Sequence, residues 1–362
     1  MDIDLGPVRR GSFFPLLGNG IFTQDGIPWG RSRGIIRPQF SRAQISDLDL
    51  EERHVQNMMR VLDLSINANK RTGQVDLQVL FFRLTLDTAT EFLFGQSADS
   101  QIRAMPRYDG AGAENDQEAD FATAFDKSQM GLAMRIRFGL KYWLYNTKEF
   151  RDSCRTCHKF VDQFVQLALS KQPKEKENMP KIEEVSTPEK YVFLEALASQ
   201  TKDPIELRSQ VLQLLLAGRD TTASLLGWLF FCLARDPVRF QRLRDAIIQE
   251  FGDYDKPMEI TFSNLKGCNY LQYCMNETLR LYPLVPQNGR YANKDTTLPR
   301  GGGRDGNSPI FIPKGTSCTY SVHVMHHRKD IWGSDAEDFN PERWEKRKVG
   351  WDYLPVGICW FF

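Results

Sequence analysis

Apolar residues recur at helical spacing over most of this chain. Ile45, Leu48, Val55, Met58, Met59 and Leu62 fall near one face of Ser41–Asn69, which predicts a long amphipathic helix. Val75–Phe94 is mostly apolar and stops at Gly95, as a buried helix would. Two more helices are predicted over Asp120–Ile136 and Lys148–Ser170, joined by the aromatic segment FGLKYWLY. A short helix at Tyr191–Ser199 and two longer ones at Val238–Phe251 and Asn264–Tyr282 follow the same logic. Residues 1–28 are rich in glycine and proline and read as loop and turns, followed by a short helix at Trp29–Phe40 that Pro38 cuts. Residues 101–117 read as a loop, and the charged run KQPKEKENMPKIEEVSTPEK from Lys171 as a solvated linker. After Pro283 the pattern changes. Proline, glycine and β-branched residues alternate, which predicts short strands and hairpins. The fold class is therefore mainly α with a small β region late in the chain.

The longest periodic stretch is Asp203–Ala234. Asp203 can cap it, Pro204 fits its first position, and Glu206 stands where a capping-box carboxylate belongs. A continuous helix of this length spans roughly 45 Å at about 1.5 Å per residue. It suits the middle of a large domain. It does not suit a membrane span, because Arg219, Asp220, Thr221 and Thr222 lie at its centre. Two readings of that centre are open. Gly218 could end one helix and Asp220 cap the next. Alternatively, a bend opens a polar notch in an apolar wall, with an acid and an alcohol able to pass protons.

Composition narrows the choice. The 47 basic and 46 acidic residues leave a net charge of +1, which argues against nucleic-acid binding. No run of 18 apolar residues and no signal peptide is present. Twenty-four phenylalanines suit an apolar interior or pocket. Seven scattered cysteines point to a reducing compartment rather than a disulfide framework. Glu277 and Arg280 lie three apart between Tyr270, Leu271, Leu279, Leu281 and Tyr282, so the pair is expected to be buried. A buried pair needs further hydrogen bonds, and Arg343, within FNPERW, is the candidate second arginine.

AGRDTT, ETLR and NPERW, in this order and spacing, resemble the cytochrome P-450 family of haem-thiolate monooxygenases. The resemblance runs from about Trp29 to Pro355 and predicts one incomplete cytochrome P-450-type domain over residues 1–362. It implies haem b as cofactor. It makes Asp220 and Thr221 the proton-relaying pair, with Gly218 beside the cofactor. Trp29, Arg33 and Arg290 would hold the haem propionates, and Glu277, Arg280 and Arg343 would form a structural triad. The implied partners are an NADPH-dependent reductase and an apolar small molecule. The segment from Leu298 to Gly333 looks more narrowly like fungal enzymes that hydroxylate alkanes and fatty acids.

The resemblance also defines two departures. Family members begin with a membrane-anchoring helix and a first β-sheet, and place the complete protein on the cytosolic face of the endoplasmic reticulum membrane. This chain is expected to lack that anchor. Members also carry Phe-x-x-Gly-x-Arg-x-Cys-x-Gly, followed by a long helix. Here GWDYLP is followed by VGICWFF. Cys359 is the candidate iron ligand, but Phe, Gly and Arg are missing before it and Gly after it. The chain is thus expected to be truncated at both ends and not to retain haem. The alternative function is a non-catalytic fragment that at most binds lipid or a partner. Cys154-Arg155-Thr156-Cys157-His158 fits covalent haem attachment but sits inside an amphipathic helix. His323, His326 and His327 are expected to line a turn beneath the β region.

Overall fold

The structure is a computed structural model. It describes residues 2–355 except 42, 43, 45, 47, 65–72, 106–116, 172–191 and 349. The expected linker after Lys171 and the tail containing Cys359 lie outside the described residues. The chain divides into two compact units, Leu5–Asp220 and Met1–Asp4 with Thr221–Phe362.

The unit Leu5–Asp220 is helical from its start. Helix α1, Pro7–Leu17, occupies a stretch expected to be turns. Pro7 fits its first turn, but Pro15 lies inside it. A proline there offers no N–H to the carbonyl one turn back, that of Gly11. Arg135 fills the gap. It donates to Gly11 O at 2.9 Å, Ser12 O at 3.1 Å and Tyr145 O at 2.8 Å. A residue more than a hundred positions away thus satisfies a helix that the local pattern disfavours.

Helix α2 is Gly26–Ile36, and Pro38 falls in a 3-10 turn, Arg37–Phe40, rather than ending the helix abruptly. Helices α3, Asp49–Leu64, and α4, Leu77–Phe94, are tied by Glu91, which meets His54 at 2.7 Å and Arg53 at 2.6 Å. Asp76 caps α4, and Gly95 ends it in the left-handed region that glycine adopts freely. The short α5, Ser100–Arg103, hangs from Asp87, which accepts from Ser100 N and Gln101 N. Helices α6, Gln117–Arg137, and α7, Lys148–Lys171, pack closely, because any side chain at Gly131 would collide with the Phe150 ring. Phe121 stacks on Phe160 at 4.2 Å, and Phe94 on Phe164 at 4.9 Å. A short α8, Phe193–Ala198, precedes the long helix.

Helix α9 runs without interruption from Pro204 to Arg235, and the boundary between units falls within it. The reading in which Gly218 ends a helix is therefore overturned. Glycine costs about 1 kcal/mol there, but buried Leu212, Leu214 and Leu215 before it and Ala223 and Leu229 after it hold the helix together. Asp203 caps as expected, accepting from Ile205 N at 2.9 Å. Glu206 does not close a capping box. It accepts from Thr201 at 2.6 Å and from Arg31 at 3.1 Å.

The other unit continues with α10, Pro237–Phe251, capped by Asp236. The expected helix over Asn264–Tyr282 is two: α11, Phe262–Gly267, and α12, Asn269–Leu281. Cys268, with ψ of 84°, breaks them, and Thr261 and Asn264 form a reciprocal capping box at the start of α11. Leu229, Leu233, Leu243, Tyr270 and Cys274 form one apolar cluster. The β region is small and antiparallel. Strand β1, Ile3–Asp4, pairs with β2, Gln287–Ala292. Strands β3, Thr296–Gly302, and β4, Ser308–Ile312, form a separate hairpin. Strand β5, Ser317–Ser321, pairs with the other side of β2. Two short helices, α13 at Val322–His326 and α14 at Lys329–Trp332, and a 3-10 turn at Pro341–Glu345 follow.

These late elements converge on Glu277. Its side chain is fully buried, as is that of Arg280. Arg280 donates from Nε and Nη2 to the two carboxylate oxygens at 2.9 and 2.8 Å. Arg343 Nε adds a bond of 2.9 Å, Asn340 N one of 3.0 Å and Trp344 Nε1 another of 3.0 Å. The remaining guanidinium protons go to the carbonyls of Trp332, Asp335, His326, Ala336 and Asp338, and Arg343 also pairs with the Asp335 carboxylate at 2.9 Å. Five donors on one carboxylate repay its desolvation, whereas without Glu277 the fully buried Arg280 would keep carbonyl partners alone, Arg343 retaining the Asp335 carboxylate. Glu277→Ala is expected to lose about 3–5 kcal/mol of unfolding free energy, measured by urea denaturation. A loss under about 1 kcal/mol would show that the network is not needed.

Candidate functional site

The centre of α9 carries the residues with the most unusual surroundings. Arg219 is a cation buried in an otherwise apolar helix face, its side chain only 6% exposed. Phe82 and Phe125 flank its guanidinium, with ring centroids at 5.1 and 5.6 Å. It reaches Asp126 of α6 at 2.5 Å and Asp220 at 3.4 Å. Its Nε is buried without a hydrogen-bond partner. With the Gln129 amide turned to suit both neighbours, its nitrogen donates to Asp220 and its oxygen accepts from Arg219 at 3.2 Å.

Asp220 is partly buried, and burial pushes its carboxyl up to about 6. The Asp126 charge adds to the rise, while Arg219 and the Gln129 hydrogen bond oppose it. A carboxyl poised there can both give and take a proton near neutral pH. Thr221, the next residue, is half-buried. Gly218 is exposed, and a Cβ built on it would meet nothing within 4 Å. Packing within the described chain does not explain why that position is glycine.

Trp29 and Arg33 lie one turn apart on α2, both half-buried, with the guanidinium 5.5 Å from the indole ring. Arg290 lies on β2 and donates to Gly289 O at 2.8 Å and to Asn288 Oδ1 at 3.2 Å. Glu277, Arg280 and Arg343 meet in the buried network above. The sequence-predicted residues thus come together as three local groups: Trp29 with Arg33, Gly218 to Thr221 along α9, and the Glu277 network.

The set-aside motifs also have places. Cys154 and Cys157 are buried in α7, where burial pushes both thiols up to about 12. His158 donates to Leu16 O at 2.8 Å. His326 is fully buried at the end of α13. Its Nδ1 donates to Arg280 O at 3.1 Å and its Nε2 accepts from Leu354 N at 2.9 Å. Burial lowers it to about 4, so it stays neutral. No cluster of three or more His, Cys, Asp or Glu among the described residues could hold a metal ion.

Sequence reasoning missed Asp126 and Gln129, which set the charge around Asp220. They lie one turn apart on α6, a spacing that puts both on one face, but nothing local says which helix that face meets. It also missed Trp344, whose indole caps Glu277, although the residue stands in the quoted FNPERW.

Comparison with known proteins accounts for the co-occurrence of these groups. The sequence profile of the family described as Cytochrome P450 matches residues 10–357. Cytochrome P450 monooxygenase g430 of a Fusarium species is 60% identical over 98% of this chain and 61% of its own length. Cytochrome P450 monooxygenase alt2 of Alternaria solani is 44% identical, over 98% of this chain and 66% of its own. Cytochrome P450 52A3-A of Candida maltosa is 48% identical over the same shares. The chain therefore spans about two thirds or less of the length of these relatives. A profile match across almost the whole chain, with relatives at this identity, leaves one conclusion: the chain belongs to the cytochrome P450 family.

Proposed function

We propose that the protein is a haem-dependent monooxygenase that hydroxylates long-chain alkanes or fatty acids, using dioxygen and electrons from an NADPH-dependent reductase. The observation that carries this reading is the half-buried acid of Asp220, adjoining Thr221 and Gly218 in mid-helix, in a chain of this family. The residues suit the cofactor in part. Open space at Gly218 suits a flat group lying close to the backbone. Arg33 and Arg290 are guanidiniums suited to carboxylate propionates, with Trp29 packed on the first. Five of the described cysteines are buried. Burial raises four of these, Cys154, Cys157, Cys232 and Cys274, to about 12, so they would not supply a thiolate. Cys359 is the ligand candidate that the family resemblance offers, without the Phe, Gly and Arg before it or the Gly after it.

Haem, when bound, supplies the oxidising chemistry. This chain's own side chains do the rest. Asp220 takes a proton from solvent on its carboxyl and gives it up again. The Thr221 hydroxyl passes that proton inward. Arg33 and Arg290 offset the cofactor's carboxylates, and Glu277, Arg280 and Arg343 fix the backbone around residues 326–343. On this reading the two compact units are parts of one domain. The protein works at the cytosolic face of the endoplasmic reticulum membrane. No helix among the described residues is long and apolar enough to cross a membrane, so that attachment rests on the family resemblance.

The test of the reading is a ferrous–carbon monoxide spectrum of the chain expressed with haem, followed by turnover of alkanes and fatty acids. A thiolate-type Soret band with hydroxylated product is expected. Neither band nor product would leave the non-catalytic alternative. In a haem-loaded form, Thr221→Ala is expected to raise peroxide released per oxygen consumed several-fold. Unchanged coupling would make Thr221 structural.

Asp220 offers a check that needs no haem. Its folded-state pKa lies above the ordinary value of 3.8, so the fold prefers the protonated acid. That preference stabilises fully below about pH 4 and is lost as pH rises through about 6. Asp220→Asn lacks this loss. The variant should gain stability over the parent between pH 4 and 7, by about 1–3 kcal/mol, in urea melts across that range. A difference that does not vary with pH would mean the acid ionises as readily in the fold as in the unfolded chain.

A further inference from the structure

Two of the histidines late in the chain have no part in the proposed oxidation. His323 stands on α13, and His327 directly follows that helix, four residues on. Residues at that spacing share one helix face, and the two imidazoles lie 4.1 Å apart, centroid to centroid. His323 is exposed, and its imidazole makes no hydrogen bond with the described residues. His327 is half-buried and is set by its own backbone. Its amide donates to Val324 O at 3.2 Å, so the last turn tightens and leaves His323 O to another donor. That donor is the His327 ring, whose Nδ1 donates to His323 O at 2.7 Å. The proton is thereby placed on Nδ1, and Nε2 carries the free lone pair. Glu337 Oε2 stands 3.7 Å from that Nε2, too far for a hydrogen bond.

We propose that His323 and His327 together bind a divalent transition-metal ion of the zinc type. Imidazole nitrogens suit zinc, nickel and copper, whereas magnesium takes oxygen ligands. Two nitrogens bound tetrahedrally at about 2.0–2.1 Å each stand roughly 3.3 Å apart, a separation that rings with centroids 4.1 Å apart reach by small rotations. Metal-binding histidines are oriented by donating the other ring N–H to a carbonyl or carboxylate. His327 has that bond before any ion arrives. Glu337 is largely exposed, so its carboxylate can swing onto the ion, and water completes the shell. The ion joins the first turn of α13 to the residue after its end. His326 lies between the two ligands and holds Arg280 O and Leu354 N. Binding therefore braces the segment through which α13 meets the Glu277 network. The site uses none of the residues assigned to the proposed oxidation.

The test is isothermal titration calorimetry of the full chain with zinc, nickel and magnesium chlorides, with hydrogen–deuterium exchange read on the same samples. Zinc and nickel are expected to bind at micromolar concentration, and magnesium is not. Exchange across Ser317–Arg328 should slow when zinc is added. His323→Gln and His327→Gln should each weaken zinc binding by about tenfold or more and remove that protection. His323 is exposed, so its variant reads the site even if His327→Gln does not fold. Zinc binding and protection unchanged in His323→Gln would mean that other ligands, cysteines among them, hold the ion, and the proposal is overturned. Protection confined to other peptides, or magnesium bound as tightly as zinc, overturns it too. None of these readings depends on haem, so this proposal and the proposed oxidation fail separately.

Discussion

One buried carboxylate governs the late third of this chain. Glu277, fully buried, accepts from two arginines, an indole and a backbone amide. Arg280 and Arg343 then spend their remaining protons on carbonyls between His326 and Asp338 and on the Asp335 carboxylate. A hydrophobic core tolerates small shifts. A set of charge-assisted bonds at 2.6–3.1 Å does not, because a displaced carbonyl leaves a buried guanidinium unpaired. The irregular segments between α13 and the turn at Pro341–Glu345 have little secondary structure to hold them. The network is what gives them one conformation.

The long helix solves a different problem. It carries a glycine, an arginine, an acid and two hydroxyls through its middle without breaking. Leucines on either side fix the helix, so its centre is free to carry chemistry instead of packing. Arg219 and Asp220 then receive opposite treatment from adjacent positions. The arginine is buried between two rings, and the acid is left partly exposed with its proton held more tightly than usual. Burial is the main cause of that tighter hold, and α6 adjusts it, Asp126 adding to the rise and Gln129 opposing it.

Much of this was legible in the sequence, and the failures have identifiable causes. The boundaries of α4, α6, α7, α9 and α10 follow from period, caps and prolines. The Glu277 pair could be expected because its flanks are apolar. Three readings failed for want of tertiary information. Residues 7–17 look like turns because of Pro7 and Pro15, yet form a helix because Arg135 accepts the burden of the missing donor. Residues 264–282 look like one helix, but Cys268 takes an extended ψ that no local signal marks. Gly218 looks like a stop signal, and the packing of its leucine neighbours overrides it. The partners of Asp220 were invisible because nothing in α6 announces which helix it will meet.

The arrangement at Pro15 has a consequence for how this sequence can change. Replacing that proline with a good helix former would restore a textless, regular hydrogen bond to Gly11 O and improve α1 taken alone. The same carbonyl has a second lone pair and could still accept from Arg135, which is buried beside Tyr142 and Phe150 and also held by Ser12 O and Tyr145 O. What the proline leaves open is one acceptor that the arginine fills unshared. An apparent defect in a helix is here the socket into which another helix plugs.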